Sequence, residues 1–235
     1  MADTDEASVK FARDAEATTK LAAQDLAALS AVLHSLGYEK ELILLDRFEH
    51  GFAEYQKVDR DILALAVENT NLKAQRLSFG AAREAADQVR ASLASVVSGT
   101  ASKDRCKVEG LVDQVVLAVR EIQVLQAPHI AEADDAAMAR LENEMTARKT
   151  AARTALASLA SLVDPNAGSA LTTAGAALDR FEGINAQIVS LSRRNTNVRS
   201  LDLALRVKPP LTATCDDGLR ALQEALADEG NKSVR

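Results

Sequence analysis

The chain has 235 residues, of which 47% are hydrophobic, 26% are charged and only 3% are aromatic. Ala, Leu and Val dominate the apolar residues, and the 10 Gly and 4 Pro are too few for a turn-rich β protein. The net charge of −6 argues against a phosphate-binding surface, so we expect no nucleic-acid partner. This composition favours a bundle of helices with a thin core.

The first predicted helix begins near Asp5 and ends at Gly37. The second carries an apolar seam whose members follow one another in steps of three and four, as on one face of a helix. We expect Phe79-Gly80 to interrupt it and Ser98-Gly99-Thr100 to form a turn. The seam comprises Leu45, Phe48, Phe52, Tyr55, Val58, Ile62, Leu65, Asn69 and Leu72.

The next predicted helical stretch, residues 104–163, contains Pro128, which marks either a kink or the first turn of a new helix. Residues 164–168 predict a turn, because they place Pro and Gly where a helix must reverse. A second seam then runs from Leu171 to Leu205, and we expect Pro209-Pro210 to stop this helix. These signals predict about six helices and no strand.

Two motifs occur twice in the same order. Asp-Arg-Phe-Glu stands at 46–49 and 179–182, and Asn-Thr-Asn stands at 69–71 and 195–197. The two offsets, 133 and 126, differ by one heptad, which keeps side chains on the same helix face. We therefore predict a duplication, with repeat units 1–103 and 104–235. The predicted fold is an all-α, elongated antiparallel helical bundle of about six helices, and the alternatives are one bundle of long, kinked helices or two stacked four-helix-bundle modules.

Asn69 and Asn195 fall in the two apolar seams, where an amide needs a partner. The favoured interpretation is structural, since one polar seam residue can fix the register of packed helices. The alternative is an amide that faces a ligand. If a ligand binds, the candidate contacts are the polar residues nearest the repeated motif, namely Asn69, Lys73, Arg76, Arg194, Asn195 and Arg199.

The remaining reactive side chains predict no catalytic or metal site. Cys106 and Cys215 lack a nearby Cys or His, so we expect two unpaired thiols. We interpret His34, His50 and His129 as scattered helix-surface residues, and the arginines around the second Asn-Thr-Asn as a solvated face with ordinary ion pairs. No cofactor, metal or catalytic residue is therefore predicted, and we expect a non-catalytic region.

Residues 111–226 resemble the four-helix-bundle periplasmic sensor domains of bacterial sensor histidine kinases and methyl-accepting chemoreceptors. The resemblance is carried by residues 128–134, 156–165, 192–201 and 212–216, and the first half repeats the pattern in degraded form around Asn69. It implies a homodimer in the periplasm, with flanking transmembrane helices in the full-length protein. No stretch of the sequence approaches the roughly 18 apolar residues that such a helix needs, so we expect these helices to lie outside it.

The resemblance further implies an extracytoplasmic ligand-sensing region of a transmembrane receptor. A small molecule or a protein ligand would displace one helix relative to its neighbours, which the membrane helices would transmit inward. Whether the output is a kinase or a chemotaxis domain stays open, as does the identity of the ligand. The alternative is a soluble structural or adaptor bundle whose amphipathic faces bind partner helices.

Overall fold

The structure, a computed structural model, describes residues 4–100, 103–163 and 167–233. It is 93% helical and has no strand in the described residues, which confirms the predicted all-α helical bundle. Residues 39–98 and 168–233 are each helical except at one asparagine. The segments are α1 (Asp5–Leu36), α2 (Glu39–Glu68), α3 (Thr70–Leu77), π1 (Ser78–Ala82), α4 (Arg83–Ser98), α5 (Arg105–Ala131), α6 (Asp135–Ala160), α7 (Gly168–Arg194), α8 (Thr196–Asp202), π2 (Leu203–Val207) and α9 (Lys208–Ser233).

The limits of α1 follow from local chemistry and confirm the predicted start and stop. The Thr4 hydroxyl accepts a hydrogen bond from the Ala7 N–H at 3.1 Å, which satisfies one of the free donors of the first turn. At the other end, Gly37 has φ 71°, a conformation that glycine adopts without steric cost. The Tyr38 N–H then donates to the Leu33 carbonyl and closes the helix end.

The chain forms two compact units. Unit 1 consists of residues 1–69 and 196–235 and contains three helices: α1, α2 and the α8–π2–α9 segment. Its buried core is small and comprises Leu33, Leu45, Phe48, Cys215 and Leu222. The helix α9 comes close to α2 at Gly218, where a Cβ would lie 3.4 Å from the Phe48 ring.

Unit 2 is the continuous segment 70–195 and forms a four-helix bundle from α3–π1–α4, α5, α6 and α7. Its apolar core is larger than that of unit 1 and is built mainly from Ala and Val, so the helices pack closely. The large side chains that are almost fully buried in it are Leu93, Ile122, Leu159, Leu178, Phe181 and Ile188.

The two units have different limits from the predicted repeat units 1–103 and 104–235. The units follow the packing of the chain, whereas the repeats follow sequence similarity, and the repeat division stays a prediction. No helix among the described residues is both long and apolar enough to cross a membrane.

Asn69 and Asn195 interrupt the two long helical runs. They have φ values of 50° and 52°, the left-handed conformation that Asn tolerates better than most residues. Each side chain is held within its own unit: Asn197 Nδ2 donates to Asn69 Oδ1 at 2.9 Å in unit 1, and Asn71 Nδ2 donates to Asn195 Oδ1 at 2.8 Å in unit 2. The Asn-Thr-Asn repeat therefore encodes two equivalent backbone breaks.

The turn predicted at Ser98-Gly99-Thr100 is confirmed, since α4 ends at Ser98, but three other predicted breaks differ from the structure. Pro209-Pro210 does not stop a helix; it lies in the first turn of α9, directly after π2, where a missing N–H is tolerated. Phe79-Gly80 lies in π1, which continues the helix with a wider turn. Pro128 lies in the last turn of α5. The predicted turn at 164–166 is outside the described residues.

Candidate functional site

A cavity of about 360 Å³ opens between three helices of unit 2: α5, α6 and α7. Its floor is apolar, because the buried side chains of Ile122, Met145 and Phe181 meet there. Polar side chains surround this floor. The lining residues are Ile122, Glu142, Met145, Thr146, Lys149, Phe181, Glu182, Asn185, Ala186, Val189 and Ser190. An apolar floor with a few polar groups above it is the usual arrangement of a small-molecule site.

Both carboxylates that line the cavity are already bound by an arginine outside it. Arg193 donates to the two oxygens of Glu142 at 2.5 and 3.0 Å. Arg153 donates to the two oxygens of Glu182 at 2.8 Å each, and it also contacts Asp179. Paired donors from a planar guanidinium match a carboxylate closely. The two arginines therefore neutralise the carboxylates of the lining from positions outside the cavity.

The donors that line the cavity are less fully engaged. The Lys149 ammonium lies 3.1 Å from Glu182 Oε2, which also accepts from Arg153, and the Lys149 side chain is 53% exposed. Asn185 Nδ2 points to the sulfur of Met145 at 3.7 Å, a weak acceptor. The Asn185 carbonyl oxygen accepts from Gln126 at 2.9 Å, which orients the amide.

A buried histidine stands behind one end of the cavity. His129 is completely buried on α5; its Nδ1 lies 2.8 Å from the Ser192 hydroxyl and its Nε2 lies 2.9 Å from Glu142. The Ser192 hydroxyl donates its proton to the His129 carbonyl at 2.7 Å, so its oxygen is left to accept from Nδ1. An ionised Glu142 accepts only. Both ring nitrogens are therefore hydrogen bonded within the bundle.

The electrostatics of Glu142 support an ionised carboxylate. Hydrogen bonds from Arg193 lower its pKa, burial raises it, and the hydrogen bond from His129 lowers it again, so that the net pKa lies below the ordinary value of 4.5. The sequence interpretation of His129 as a surface residue is wrong. Its position on the buried face of α5, next to Ser192 of α7, makes it part of the unit 2 interior.

A second polar layer lies deeper in the bundle. Gln126 is completely buried, accepts from the Ser78 hydroxyl at 2.7 Å and donates to Asn185. Each polar atom of this side chain therefore has a partner, as a buried amide requires. The layer fixes the amide of Asn185 at the cavity wall, so one donor of the site is held in position by residues outside it.

The six predicted ligand contacts are divided between the units. Asn69 and Arg199 belong to unit 1, whereas Lys73, Arg76, Arg194 and Asn195 belong to unit 2. The two asparagines are buried, and the four charged residues are exposed. None of the six lines the cavity of unit 2. Their role as ligand contacts stays a prediction.

Asn69 does line a smaller cavity of about 160 Å³ within unit 1. Its amide donates to Asp5 at 3.0 Å and to the Ser8 hydroxyl at 2.8 Å, while its oxygen accepts from Asn197. These contacts are the ones that a structural amide makes. They support the favoured interpretation of this residue more than the ligand-facing one, although its structural role is a backbone break rather than a register contact.

Sequence reasoning missed most residues of the larger cavity. Lys149, Asn185 and Met145 lie on amphipathic helices without a local motif, so nothing in the spacing distinguished them. The one available signal was the second Asp-Arg-Phe-Glu, which supplies Phe181 and Glu182 to the cavity. Both cysteines are free, as predicted. Cys106 is exposed and Cys215 is buried.

In the described part of the chain, no three His, Cys, Asp or Glu side chains come together as a metal site would need. Comparison of the chain with protein-family models finds no matching family, and comparisons with curated proteins and with solved structures find no match either.

Proposed function

We propose that the chain is the extracytoplasmic ligand-sensing region of a bacterial transmembrane receptor, and that unit 2 holds the ligand. The observation that carries the proposal is the cavity between α5, α6 and α7, with its apolar floor and polar rim. A homodimer, a periplasmic location and flanking membrane helices belong to the same proposal and rest on the resemblance of residues 111–226 to bacterial sensor domains.

The bundle offers a physical route from binding to movement. The cavity separates α6 from α7, and the ion pairs of Glu142 with Arg193 and of Glu182 with Arg153 connect the two helices along its rim. A ligand that contacts both helices favours the spacing that fits it and disfavours others. Signalling then requires only that the two spacings differ in their affinity for the ligand.

The first test is a thermal-shift screen of the full chain against amino acids, organic acids, aromatic compounds and amines. A ligand at 100 times its dissociation constant stabilises the folded state by about 2.7 kcal/mol. This corresponds to a rise of several degrees in Tm for a chain of this size. We expect one chemical class to respond. A panel in which no compound shifts Tm would contradict direct sensing of a small molecule.

A matched pair of variants assigns the response to the cavity. Ala186 lines the cavity and is exposed, so Ala186→Phe should fill it and remove the shift without disturbing the core. Ala157 is exposed on α6 and does not line the cavity, which makes Ala157→Phe the control. Equal shifts in the two variants would place the binding elsewhere.

Helix movement needs its own measurement. Spin labels at the exposed positions Asn143 on α6 and Gln187 on α7, in a Cys106→Ser and Cys215→Ser background, report the spacing of these helices. We expect the distance distribution to change when a ligand from the screen is added. If the distance distribution does not change when the ligand is bound, the chain binds the ligand without helix movement, and the proposed sensing mechanism is wrong.

A structural or adaptor bundle is the second candidate, and one observation favours it. Leu117 and Val124 lie seven residues apart on α5, and their exposed fractions are 60% and 72%. Such a pair on one helix face is typical of helix-in-groove contacts. Under this alternative, Leu117→Glu with Val124→Glu should abolish self-association or partner binding in sedimentation experiments and leave ligand-induced Tm shifts intact.

A further inference from the structure

From the geometry of the cavity we infer that its ligand is a small organic anion, with a carboxylate held by Lys149 and Asn185 and an apolar body placed on Ile122, Met145 and Phe181. This inference rests on the proposed ligand-binding function and adds the chemical class. It is carried by the position of Lys149 and by the hydrogen-bond partners around the cavity.

Lys149 is the cation that lines the cavity itself, whereas the two guanidiniums lie outside its lining. Arg153 pairs with both Glu182 and Asp179, and Arg193 pairs with both Glu142 and Asp135, so the charges around the cavity leave no positive surplus. The Lys149 ammonium shares a Glu182 oxygen with Arg153, and its side chain is 53% exposed. A ligand carboxylate in the cavity therefore meets this ammonium before either guanidinium, so the position of Lys149, and not the net charge, favours an anion.

The hydrogen-bond balance points in the same direction. Glu142 already accepts from Arg193 and His129, and both Glu182 oxygens already accept from Arg153, so the lining carboxylates offer little to a donor from a ligand. By contrast, Asn185 Nδ2 has only the sulfur of Met145 at 3.7 Å as its acceptor. The cavity therefore presents donors and needs acceptors, which a carboxylate supplies.

The Asn185 amide is hydrogen bonded to the interior of unit 2. Its oxygen accepts from Gln126, whose own oxygen accepts from the Ser78 hydroxyl. With Gln126 in this orientation, a flipped Asn185 amide would place two donors against each other. The NH₂ group of Asn185 therefore faces Met145 and the cavity before any ligand binds.

The volume and the floor define the rest of the ligand. About 360 Å³ admits a ring or a short aliphatic chain together with its carboxylate. The floor offers Phe181 and Met145, which favour contact with an aromatic or aliphatic body. A small polar anion without such a body would leave the floor uncovered and lose the hydrophobic part of the binding energy.

The test uses three probes of similar size and different charge: benzoate, benzamide and benzylamine. Binding to the full chain is measured by isothermal titration calorimetry. We expect benzoate to bind at least ten times more tightly than benzamide, and benzylamine to bind most weakly. Equal or tighter binding of benzamide or benzylamine, or no binding of benzoate, would overturn the inference.

Variants assign the carboxylate to its two donors. Lys149→Met should weaken benzoate at least tenfold and leave benzamide within about twofold, whereas Lys149→Arg should retain most of the benzoate affinity. Glu182 keeps Arg153 in both variants, so the fold is preserved. The matched control is Lys107→Met, at an exposed lysine of α5 that does not line the cavity. An effect of Lys107→Met equal to that of Lys149→Met would overturn the assignment.

Asn185→Asp is the second test. The substitution retains the oxygen that accepts from Gln126, but it replaces the NH₂ donor with a charged acceptor, so benzoate binding should disappear while Tm without ligand changes little. Undiminished benzoate binding would contradict the role of this amide. These outcomes are distinct from failure of the proposed function: if benzoate does not bind but the wider screen finds another class that Ala186→Phe removes, the function stands and the anion inference falls.

Discussion

The two copies of Asp-Arg-Phe-Glu show how one motif acquires different neighbours in the two units. In unit 1, Phe48 stacks on Phe52 at a centroid distance of 5.6 Å, and the charged residues around it are exposed. In unit 2, Phe181 is completely buried beneath the cavity, and the glutamate that follows it is held by Arg153 of α6. The motif determines that the aromatic ring enters the core. The facing helix determines what the charged residues do.

The units also differ in how they use buried polar groups. Unit 2 contains His129 and Gln126, both completely buried and both hydrogen bonded to side chains of other helices. Unit 1 also buries an amide, Asn69, whose partners include Ser8 and Asn197. Its ion pair of Lys208 with Asp59 is partly exposed, and the ammonium group also lies 4.8 Å from the centre of the Tyr55 ring. The buried network of unit 2 differs in that Gln126 and His129 bond directly to two residues of the cavity lining, Asn185 and Glu142.

The largest expected effect tests the two aromatic cores. Phe181→Ala should reduce the free energy of unfolding by about 4 kcal/mol, because it removes a fully buried ring and leaves a void. Phe48→Ala should cost less, since its ring retains some exposure and lies in a smaller core. Hydrogen exchange measured by mass spectrometry follows each unit separately. A larger loss of protection for Phe48→Ala in unit 1 would reverse the comparison.

The second prediction compares two histidines. His129→Ala removes the hydrogen bonds of the ring to Ser192 and Glu142 and leaves a void in the bundle, so we expect a loss of about 3 kcal/mol. His50→Ala should cost almost nothing, since the ring is exposed and contacts only its own helix. Urea titrations of both variants measure the difference. Equal midpoints would show that the His129 network contributes no stability.

The third prediction concerns the two asparagine breaks. Replacement of Asn69 or Asn195 by Ala should cost about 2 kcal/mol, through lost hydrogen bonds and through the strain of positive φ. Replacement by Gly removes the strain, so it should cost about 1 kcal/mol less than Ala. Thermal unfolding of the four variants checks both positions. Identical Tm values for the Ala and Gly variants would show that the left-handed backbone conformation imposes no measurable strain on Ala at these positions.

The smallest expected effects concern pH. The stability of unit 2 should fall in acid, and the stability of unit 1 should fall at alkaline pH. The pKa of Glu142 is lowered by Arg193, so its stabilisation of unit 2 is complete above about pH 4.5 and is lost as the pH falls below that value. Burial lowers the pKa of Lys208, but contacts with Asp59 and Tyr55 outweigh this and raise it above 10.5. Its stabilisation of unit 1 is complete below pH 10.5 and is lost at higher pH.

Matched variants assign the pH effects. Glu142→Gln should remove the acid dependence of unit 2, and Lys208→Met should remove the alkaline dependence of unit 1. Hydrogen exchange at several pH values, corrected for intrinsic rates, separates the units. Loss of unit 1 protection first in acid would contradict the assignment.

The sequence predicted the helices well, because periodicity and capping are local signals. The seam through Leu45 and Phe48, and the stop at Gly37, follow directly from side-chain spacing and from the backbone freedom of glycine. The same reasoning placed Asn69 and Asn195 on the seam. It did not predict their left-handed backbone, since a period records which face a residue occupies and not its φ angle.

The cavity could not be predicted for a different reason. Lys149 and Asn185 come from separate helices, and their meeting depends on how α6 and α7 pack in unit 2. Likewise, the expectation that Pro209-Pro210 ends a helix was locally sound, but π2 changes the hydrogen-bond register immediately before the two prolines. In both cases the deciding interaction lies outside the window that a sequence pattern covers.

The hydrogen bond between Asn71 and Asn195 has a consequence for how unit 2 can be rearranged or transferred. It joins side chains near the first and last residues of unit 2, so the ends of this continuous segment are neighbours. A segment with adjacent ends can be transplanted into a loop of another protein, or closed by a short linker and reopened elsewhere, without stretching its backbone. We therefore expect residues 70–195 to fold when inserted into another protein. A circular permutant of this segment, opened near residue 133, should retain the cavity.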